Sequence, residues 1–339
     1  MPRYIIVDMG FFIGVDLGGT KTAVTLADEG LRILDKCGFP TVMPGGPEAM
    51  IDRMAESARS LCGQNGISDK ALLACGVSSG GPLDPEAGLI LSPPNLPGWD
   101  SVPIVRLLGG RLGIPCFLEN DANACALAEW KLGAGRGAST MIFLTFGTGM
   151  GAGLIIDGAL HRGPDCLAGE VGHVRLSRRG PDGYGKRGSF EGFCSGGGIA
   201  RQAMAEARKT LGRGGRAAFC PDEASIGAIT AKDVAAAADA GDQLAIAILE
   251  RSGEYLGRGL AVLIDLLNPE AIVIGSIFAR CERFLRPAAE RVVAREALPA
   301  SARRCRILAA GLGESIGDYA ALLVARDGLA QTEKGRGSA

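Results

Sequence analysis

The chain of 339 residues is about twice the ~150 that make a typical domain, so two lobes or one large α/β body is expected. With 36 Lys and Arg against 37 Asp and Glu, it has no basic field to draw it to nucleic acid, polyphosphate or an anionic membrane surface. A hydrophobic fraction of 47%, with 52 Gly and 17 Pro, describes a soluble, folded, loop-punctuated protein rather than a disordered or fibrous one.

Asp8 and Asp16 interrupt the apolar stretches of the first 24 residues before an export signal or a membrane span of ~20 residues could form, which points to the cytoplasm. The closest two of the ten cysteines, Cys116 and Cys125, lie nine residues apart, so no metal-knuckle or CxxC spacing occurs and reduced, scattered thiols are expected. FFIGVD (11–16) runs into Gly18-Gly19-Thr20, and TAVTLAD (22–28) and LRILDKCGF (31–39) follow as a strand meander with glycine turns. Residues 47–66 have helical spacing and a glycine stop. LLACGVSSG (72–80) is a short strand entering a loop rich in Pro and Gly at 80–98. A helix at 101–113, the strand IPCFLEND (114–121) and a helix at 122–135 come next.

At 140 the pattern begins again: MIFLTF (141–146), the turn Gly147-Thr148-Gly149, then GAGLIIDG (151–158). Two halves opening on strand, Gly-Thr turn and strand suggest two related lobes, each presenting a glycine turn. Residues 161–198 show little periodicity, as functional loops often do. Helices are predicted at 198–211, 231–241, 242–268 and about 278–297, strands at 271–276 and 306–313, and a last helix at 315–328 with a disordered tail after 330. Alternating strands and helices make the fold class α/β.

Asp16 at a strand end, followed by Gly18, Gly19, Thr20 and Lys21, is a candidate phosphate cradle. Bare backbone N–H groups can close on phosphate while the carboxylate holds a hydrated Mg²⁺. It is not a Walker A loop, and a plain hairpin is the alternative. Glu119-Asn120-Asp121-Ala122-Asn123 lies where a strand yields to a helix. Its polar residues are either ordinary helix caps or, for Asp121, a base within reach of an alcohol proton. Glu170 and His173, in GEVGH, with Glu191 beyond, make a polar cluster suited to gripping hydroxyls. His161, the other histidine, reads as an ordinary structural residue.

Taken in order, DLGGTK, GGPLDPEAG with PNLPGW, ENDANA, FGTGMGAGLIIDG and GEVGH resemble the sugar kinases of the ROK family (repressor, open reading frame, kinase), over residues 11 to 328. The resemblance implies a two-lobed actin-like, ribonuclease H-like ATPase fold with a cleft between the lobes. Residues 1–120 with 315–339 would form the smaller lobe and 121–314 the larger. It implies transfer of the γ-phosphate of ATP to a hydroxyl, O6 by expectation, of a hexose or N-acetylhexosamine, with glucose and N-acetylmannosamine favoured. Asp121 would be the general base, and Gly81, Asn95, Asn120, Glu170, His173 and Glu191 would surround the sugar. Asp16 would orient Mg²⁺ through water. Gly18 to Lys21 and Thr148-Gly149 would clasp phosphates, and Gly275-Ser276 would lie against adenosine.

The resemblance also implies a homodimer. Many members carry a zinc loop, CxCGxxGCxE, with the histidine of the GH motif as fourth ligand. Here Asp182 to Glu191 replaces all three cysteines, so no zinc is expected and the loop should be held by packing of Tyr184 and Phe190 or by hydrogen bonds. Gly275-Ser276-Ile277 stands where many members have a glycine run. The family's repressors place a DNA-reading domain before the kinase-like part, and with DLGGTK starting at residue 16 that reading is disfavoured. A catalytically silent sugar or nucleotide sensor is the remaining alternative, against which Asp16 and Asp121 argue.

Overall fold

The computed structural model describes residues 9–41 and 44–337; Asp8 and the basic start lie outside them. The chain divides into two compact units, Met1–Ala128 with Glu314–Ala339, and Glu129–Gly313.

In the first unit, β1 (Phe11–Leu17), β2 (Lys21–Asp28), β3 (Ile33–Pro40) and β4 (Leu72–Ser79) are joined by a small hairpin, β5 (Leu83–Asp84) and β6 (Leu89–Ile90), to β7 (Cys116–Asn120). The sheet runs β3-β2-β1-β4-β7, antiparallel across the meander and parallel from β1 to β4 and β7. The central strand β1 is apolar on both faces, as a strand covered on both sides must be. Helix α1 (Gly46–Gln64) turns Met50, Ile51, Met54, Ala58 and Leu61 towards the core and packs on β2 and β3. α2 (Ile104–Leu112) stops at Gly113, whose φ of 72° gives the left-handed C-cap that glycine takes without strain. α3 (Asp121–Lys131) follows β7 directly.

The C-terminal helix, Ile316–Gly337, packs on β1 and β4. Gly14 and Gly76, register partners on these strands, lie under it. A Cβ on Gly14 would stand 3.0 Å from Leu322 N, and one on Gly76 would run into Ala321 O and Ala325 N. Ala320, Ala321 and Ala325 keep the facing side of the helix thin and fully buried. The helix continues past residue 330, where a disordered tail was expected. Gln331, Glu333 and Lys334 are favourable helix residues, no proline intervenes, and Thr332 Oγ1 donates to Gly328 O at 3.0 Å; only residues 338–339 of that tail lie outside the description.

The second unit repeats the sheet. β8 (Met141–Leu144), β9 (Ala152–Ile156), β10 (Ala159–His161), β13 (Ala271–Ile274) and β14 (Arg306–Ala309) run β10-β9-β8-β13-β14, again with two antiparallel and then two parallel pairings. Residues 161–198 contain a short hairpin, β11 (Asp182–Gly183) and β12 (Lys186–Arg187), and a one-turn helix α4 (Phe190–Phe193). Helices α5 (Gly196–Leu211), α6 (Ala231–Asp239), α7 (Gln243–Leu267), α8 (Ile277–Glu296) and α9 (Pro299–Arg304) complete the unit. α7 is capped by Asp242, which accepts from Ala245 N at 2.8 Å, and ends at Asn268 in the left-handed region before Pro269.

Gly253 and Gly257 on α7 let α8 approach until a Cβ on either would stand 2.5 Å from a carbonyl oxygen of Leu285 or Ala289. None of the ten cysteines is joined in a disulfide. Among the described residues no helix is long and apolar enough to cross a membrane.

The missing side chains at Gly14 and Gly76 set a prediction. Gly76→Ala places a methyl in helix backbone that cannot yield without lifting the helix, and is expected to destabilise the fold by ~3 kcal/mol, read as a lowered urea midpoint. Ala74→Gly, a cavity-forming change on the same strand, should cost less.

Candidate active site

In the first unit the turn after β1 is closed by Gly18 N donating to Lys21 O at 3.2 Å. Thr41 pins it from below: its hydroxyl donates to Gly18 O at 2.6 Å and shares a 2.9 Å hydrogen bond with Thr22, while its N–H donates to Thr20 O at 3.0 Å. Gly19 must lack a side chain because a Cβ there would lie 2.7 Å from Asn95 Cβ and 2.8 Å from Asn95 O. The glycine turn and the loop carrying Asn95 are therefore in close contact. Lys21 is exposed and lies across Gly38, where a Cβ would stand 2.6 Å from Lys21 Cε.

At the junction of β7 and α3, Asn120 and Asp121 divide the two roles that the sequence left open. Asn120 Oδ1 accepts from Ala122 N at 2.9 Å and from Asn123 N at 3.4 Å, so Asn120 is the helix cap. Asp121 Oδ1 accepts from Ala122 N at 2.8 Å, whereas Oδ2 takes no hydrogen bond among the described residues. A Cβ on Gly80 would stand 3.4 Å from Asn95 Nδ2 and 3.8 Å from Asp121 Oδ2, and one on Gly81 would stand 3.5 Å from Asn120 Nδ2. Gly80-Gly81, Asn95, Asn120 and Asp121 thus converge on one spot. Asp121 is exposed, yet the protein around its carboxyl takes away part of its bulk water, and this desolvation raises its pKa, against hydrogen bonds from the Ala122 and Asp121 backbone.

Asp16, at the end of β1, has its carboxyl raised to about 6, first by burial, then by the charges of Asp121 and Asp318, with Lys36 acting in the opposite direction. Asp318 belongs to the first turn of the C-terminal helix. Its Oδ1 accepts from Thr25 Oγ1 at 3.1 Å and its Oδ2 from Lys36 Nζ at 2.6 Å. One residue earlier, a Cβ on Gly317 would run into Asp16 Oδ2. Asp318, Lys36, Thr25, Thr22 and Thr41 were not read as site residues. The one signal in the sequence was an acid next to a glycine at the start of the last predicted helix; that Thr25 and Lys36 are cross-strand partners emerges only from the register of β2 and β3.

In the second unit, the turn Gly147-Thr148-Gly149 is closed by Gly147 N donating to Gly149 O at 3.2 Å. It is fastened to the start of α5, since Gly196 N donates to Gly147 O at 2.7 Å and Gly197 N to Thr148 O at 3.4 Å. Glu191 belongs to this group: Oε2 accepts from Met150 N at 3.1 Å and would lie 2.9 Å from a Cβ on Gly149. Gly172 packs on Met150 O and would place a Cβ 3.3 Å from Glu191 Cβ, which brings the turn Val171–His173 against Glu191. Glu170, just before this turn, and His173, its last residue, are exposed.

Gly275 N donates to Leu144 O at 3.0 Å, and Ser276 Oγ would lie 3.8 Å from a Cβ on Gly147, so Gly275-Ser276 sits beside the glycine turn. Ser276 has φ 57° and ψ −113°, a conformation suited to glycine.

Of the two residues expected to pack the loop that ends at Glu191, Phe190 is 1% exposed and Tyr184 64% exposed, so only the former is buried. Hydrogen bonds do the rest. Gly188 N donates to Pro181 O at 2.8 Å, Phe190 N to Val174 O at 2.7 Å, and Ser189 Oγ accepts from Gly192 N at 3.1 Å while donating to Gly183 O at 3.3 Å. Among the described residues, no three or more His, Cys, Asp or Glu side chains are grouped to hold a metal ion.

A model described as "ROK family" matches residues 12–327. A glucokinase of Thermotoga maritima is 37% identical over 286 residues, 83% of this chain and 86% of that protein. An N-acetylmannosamine kinase of Escherichia coli O157:H7 is 31% identical over 274 residues, 80% of this chain and 85% of that protein. The crystal structure of a ROK family glucokinase from Streptomyces griseus, in complex with glucose and AMPPNP, superposes with a TM-score of 0.77 at 31% identity, covering 94% of this chain and 100% of that one.

The strained Ser276 gives a direct check on this geometry. Ser276→Gly removes the side-chain clash of a positive φ and is expected to stabilise the protein by ~1 kcal/mol, seen as a raised unfolding midpoint in urea.

Proposed function

The chain belongs to the ROK family, and on that premise we propose that it is an ATP-dependent sugar kinase. It transfers the γ-phosphoryl group of ATP to a hydroxyl, O6 by preference, of a hexose or N-acetylhexosamine, with glucose and N-acetylmannosamine the favoured acceptors. The nucleotide-bound, glucose-bound relative and the two kinases of matching length support this reading.

The observation that carries it is Asp121: a carboxylate with one oxygen held by backbone and the other free, raised in basicity by partial desolvation, opposite the bare backbone of Gly80 and the amide of Asn95. The acceptor hydroxyl gives its proton to Asp121 Oδ2 as its oxygen bonds to the γ-phosphorus. The bond from that phosphorus to the bridging oxygen of ADP breaks, and ADP leaves with the electron pair. Asn95 and the amide of Asn120, with Glu170, His173 and the second carboxylate oxygen of Glu191, hold the sugar hydroxyls. The N–H groups of Gly18 to Lys21 and of Thr148-Gly149 receive phosphate oxygens, and the Gly275-Ser276 turn lies against adenosine. Holding reactants in line and neutralising phosphate charge supply most of the rate in such transfers.

Magnesium, when bound with the nucleotide, shields phosphate charge. The residues present fit it: Asp16 offers carboxylate oxygen in a spot of excess negative charge from Asp121 and Asp318, with Gly317 packed on its Oδ2.

The reading is tested by ADP release from Mg-ATP across a panel of hexoses and N-acetylhexosamines with Asp121→Asn as control. Turnover on one sugar is expected, with Asp121→Asn lowering kcat by ~10²-fold or more while sugar binding is kept. Nucleotide binding without turnover on any sugar would assign a sensor instead, and near-normal turnover of Asp121→Asn would reduce Asp121 to a structural residue.

Asp16 adds a pH-dependent expectation. Its folded value of about 6 exceeds the unfolded 3.8, so the folded chain keeps a proton that the unfolded chain releases in this window. Stability is therefore lost as pH rises through it, and the penalty is complete above about pH 6. Asp16→Asn should raise the free energy of unfolding at pH 7.5 by up to ~3 kcal/mol, with a smaller gain near pH 5, while turnover is abolished. Equal gains at both pH values would refute the assignment.

A further inference from the structure

The tip of the β11–β12 hairpin is Tyr184-Gly185, and both residues have positive φ, 48° and 72°. Two successive positive φ values are what a type I′ turn requires, and its first position favours Asn, Asp or Gly. A tyrosine there strains the turn. It is not compensated by burial, because the side chain is among the most exposed large apolar groups, at 64%. Neither local geometry nor the hydrophobic effect accounts for an aromatic at this position.

What Tyr184 does touch is His173. The ring centroids are 5.1 Å apart at an interplanar angle of 82°, the edge-to-face arrangement in which aromatic quadrupoles attract. The supports of the two rings are tied together. Val174, next to His173, accepts from Phe190 N at 2.7 Å, and Gly183, next to Tyr184, accepts from Ser189 Oγ at 3.3 Å. His173 has its own backbone fixed by donation from its N–H to Glu170 O at 3.2 Å. Its imidazole makes no side-chain hydrogen bond among the described residues, and Tyr184 is the one ring against it. The main chain of His173 is anchored, and its side-chain torsions are restrained by the tyrosine.

We propose that Tyr184 is a positioning residue for the sugar site: its ring holds the His173 imidazole in the orientation that offers a ring nitrogen to a sugar hydroxyl. The inference rests on the sugar-kinase reading and deepens it. The rigid hairpin supplies what a ligand-facing side chain on a loop otherwise lacks, a second group that fixes its rotamer. The strained turn is then retained for the contact that the aromatic makes.

The chain has two histidines, so an imidazole carbon–proton NMR spectrum contains His173 and one internal control, His161 on the exposed strand β10. Wild type, Tyr184→Asn and Tyr184→Phe are compared, with glucose and N-acetylmannosamine titrated into each and phosphotransfer measured in parallel. Tyr184→Asn, which suits the turn better, should unfold no earlier than wild type. It should shift the His173 signal and not that of His161, and raise the Kd and KM for the accepted sugar by ~2- to 10-fold, leaving kcat and the KM for ATP within about twofold. Tyr184→Phe should match wild type throughout.

An unmoved His173 signal in Tyr184→Asn, or a moved signal with unchanged sugar affinity, overturns the proposal. Wild-type protein that binds sugar with movement of His173 but transfers no phosphate overturns the kinase reading and leaves the positioning role standing. Phosphotransfer without any sugar-induced movement of His173 does the reverse.

Discussion

At Gly14 and Gly76 the C-terminal helix meets the sheet with no space for a Cβ, and the chemistry of the first unit depends on that closeness. The thin contact lowers the helix start until Gly317 lies on the Asp16 carboxylate and Asp318 reaches Thr25 and Lys36. A side chain of any size in the seam would move the helix outward and take Asp318 with it. Helix position here is set by what the sheet lacks, since interiors pack at crystal-like density and leave no slack to absorb a methyl.

The same closeness creates an electrostatic imbalance that packing alone would not favour. The charges of Asp121 and Asp318 both act on Asp16, and Lys36 is the cation that opposes them there. Lys36 is itself shared with Asp318, whose carboxylate is nearly buried. A fold optimised for stability would neutralise Asp16; this one keeps it charged at neutral pH at the expense of folding free energy, as functional sites do. Asp121 follows another logic. Its neighbour Asn120 takes the capping work, which leaves one carboxylate oxygen of Asp121 without a structural task.

The sequence made much of this legible, for local reasons. Glycine-punctuated apolar runs marked the two meanders, and the repeat of strand, Gly-Thr turn and strand foreshadowed two sheets with the same strand pattern. Long helices such as α7 carry their own stop in Asn268-Pro269. What stayed hidden depends on residues far apart in the chain. Asp318 and Lys36 are separated by 282 positions, and no periodicity connects them. The Asn120 and Asp121 division of labour needed atomic distances, because both side chains can cap a helix. The β11–β12 hairpin is too short to show alternation, and its tip breaks the residue preferences by which such turns are recognised.

The first unit is discontinuous, with Glu129–Gly313 intervening before its last helix. On a ribosome, β1 and β4 emerge early while the helix that covers their glycine seam is made only after the whole of the second unit. Until then the central strands show one bare, apolar face, and Asp16 stands without Asp318. The first unit therefore cannot complete its fold in the order of synthesis, and the C-terminal segment acts as a closing latch: the chain acquires the full charge pattern around Asp16 as one of the last events of its own assembly.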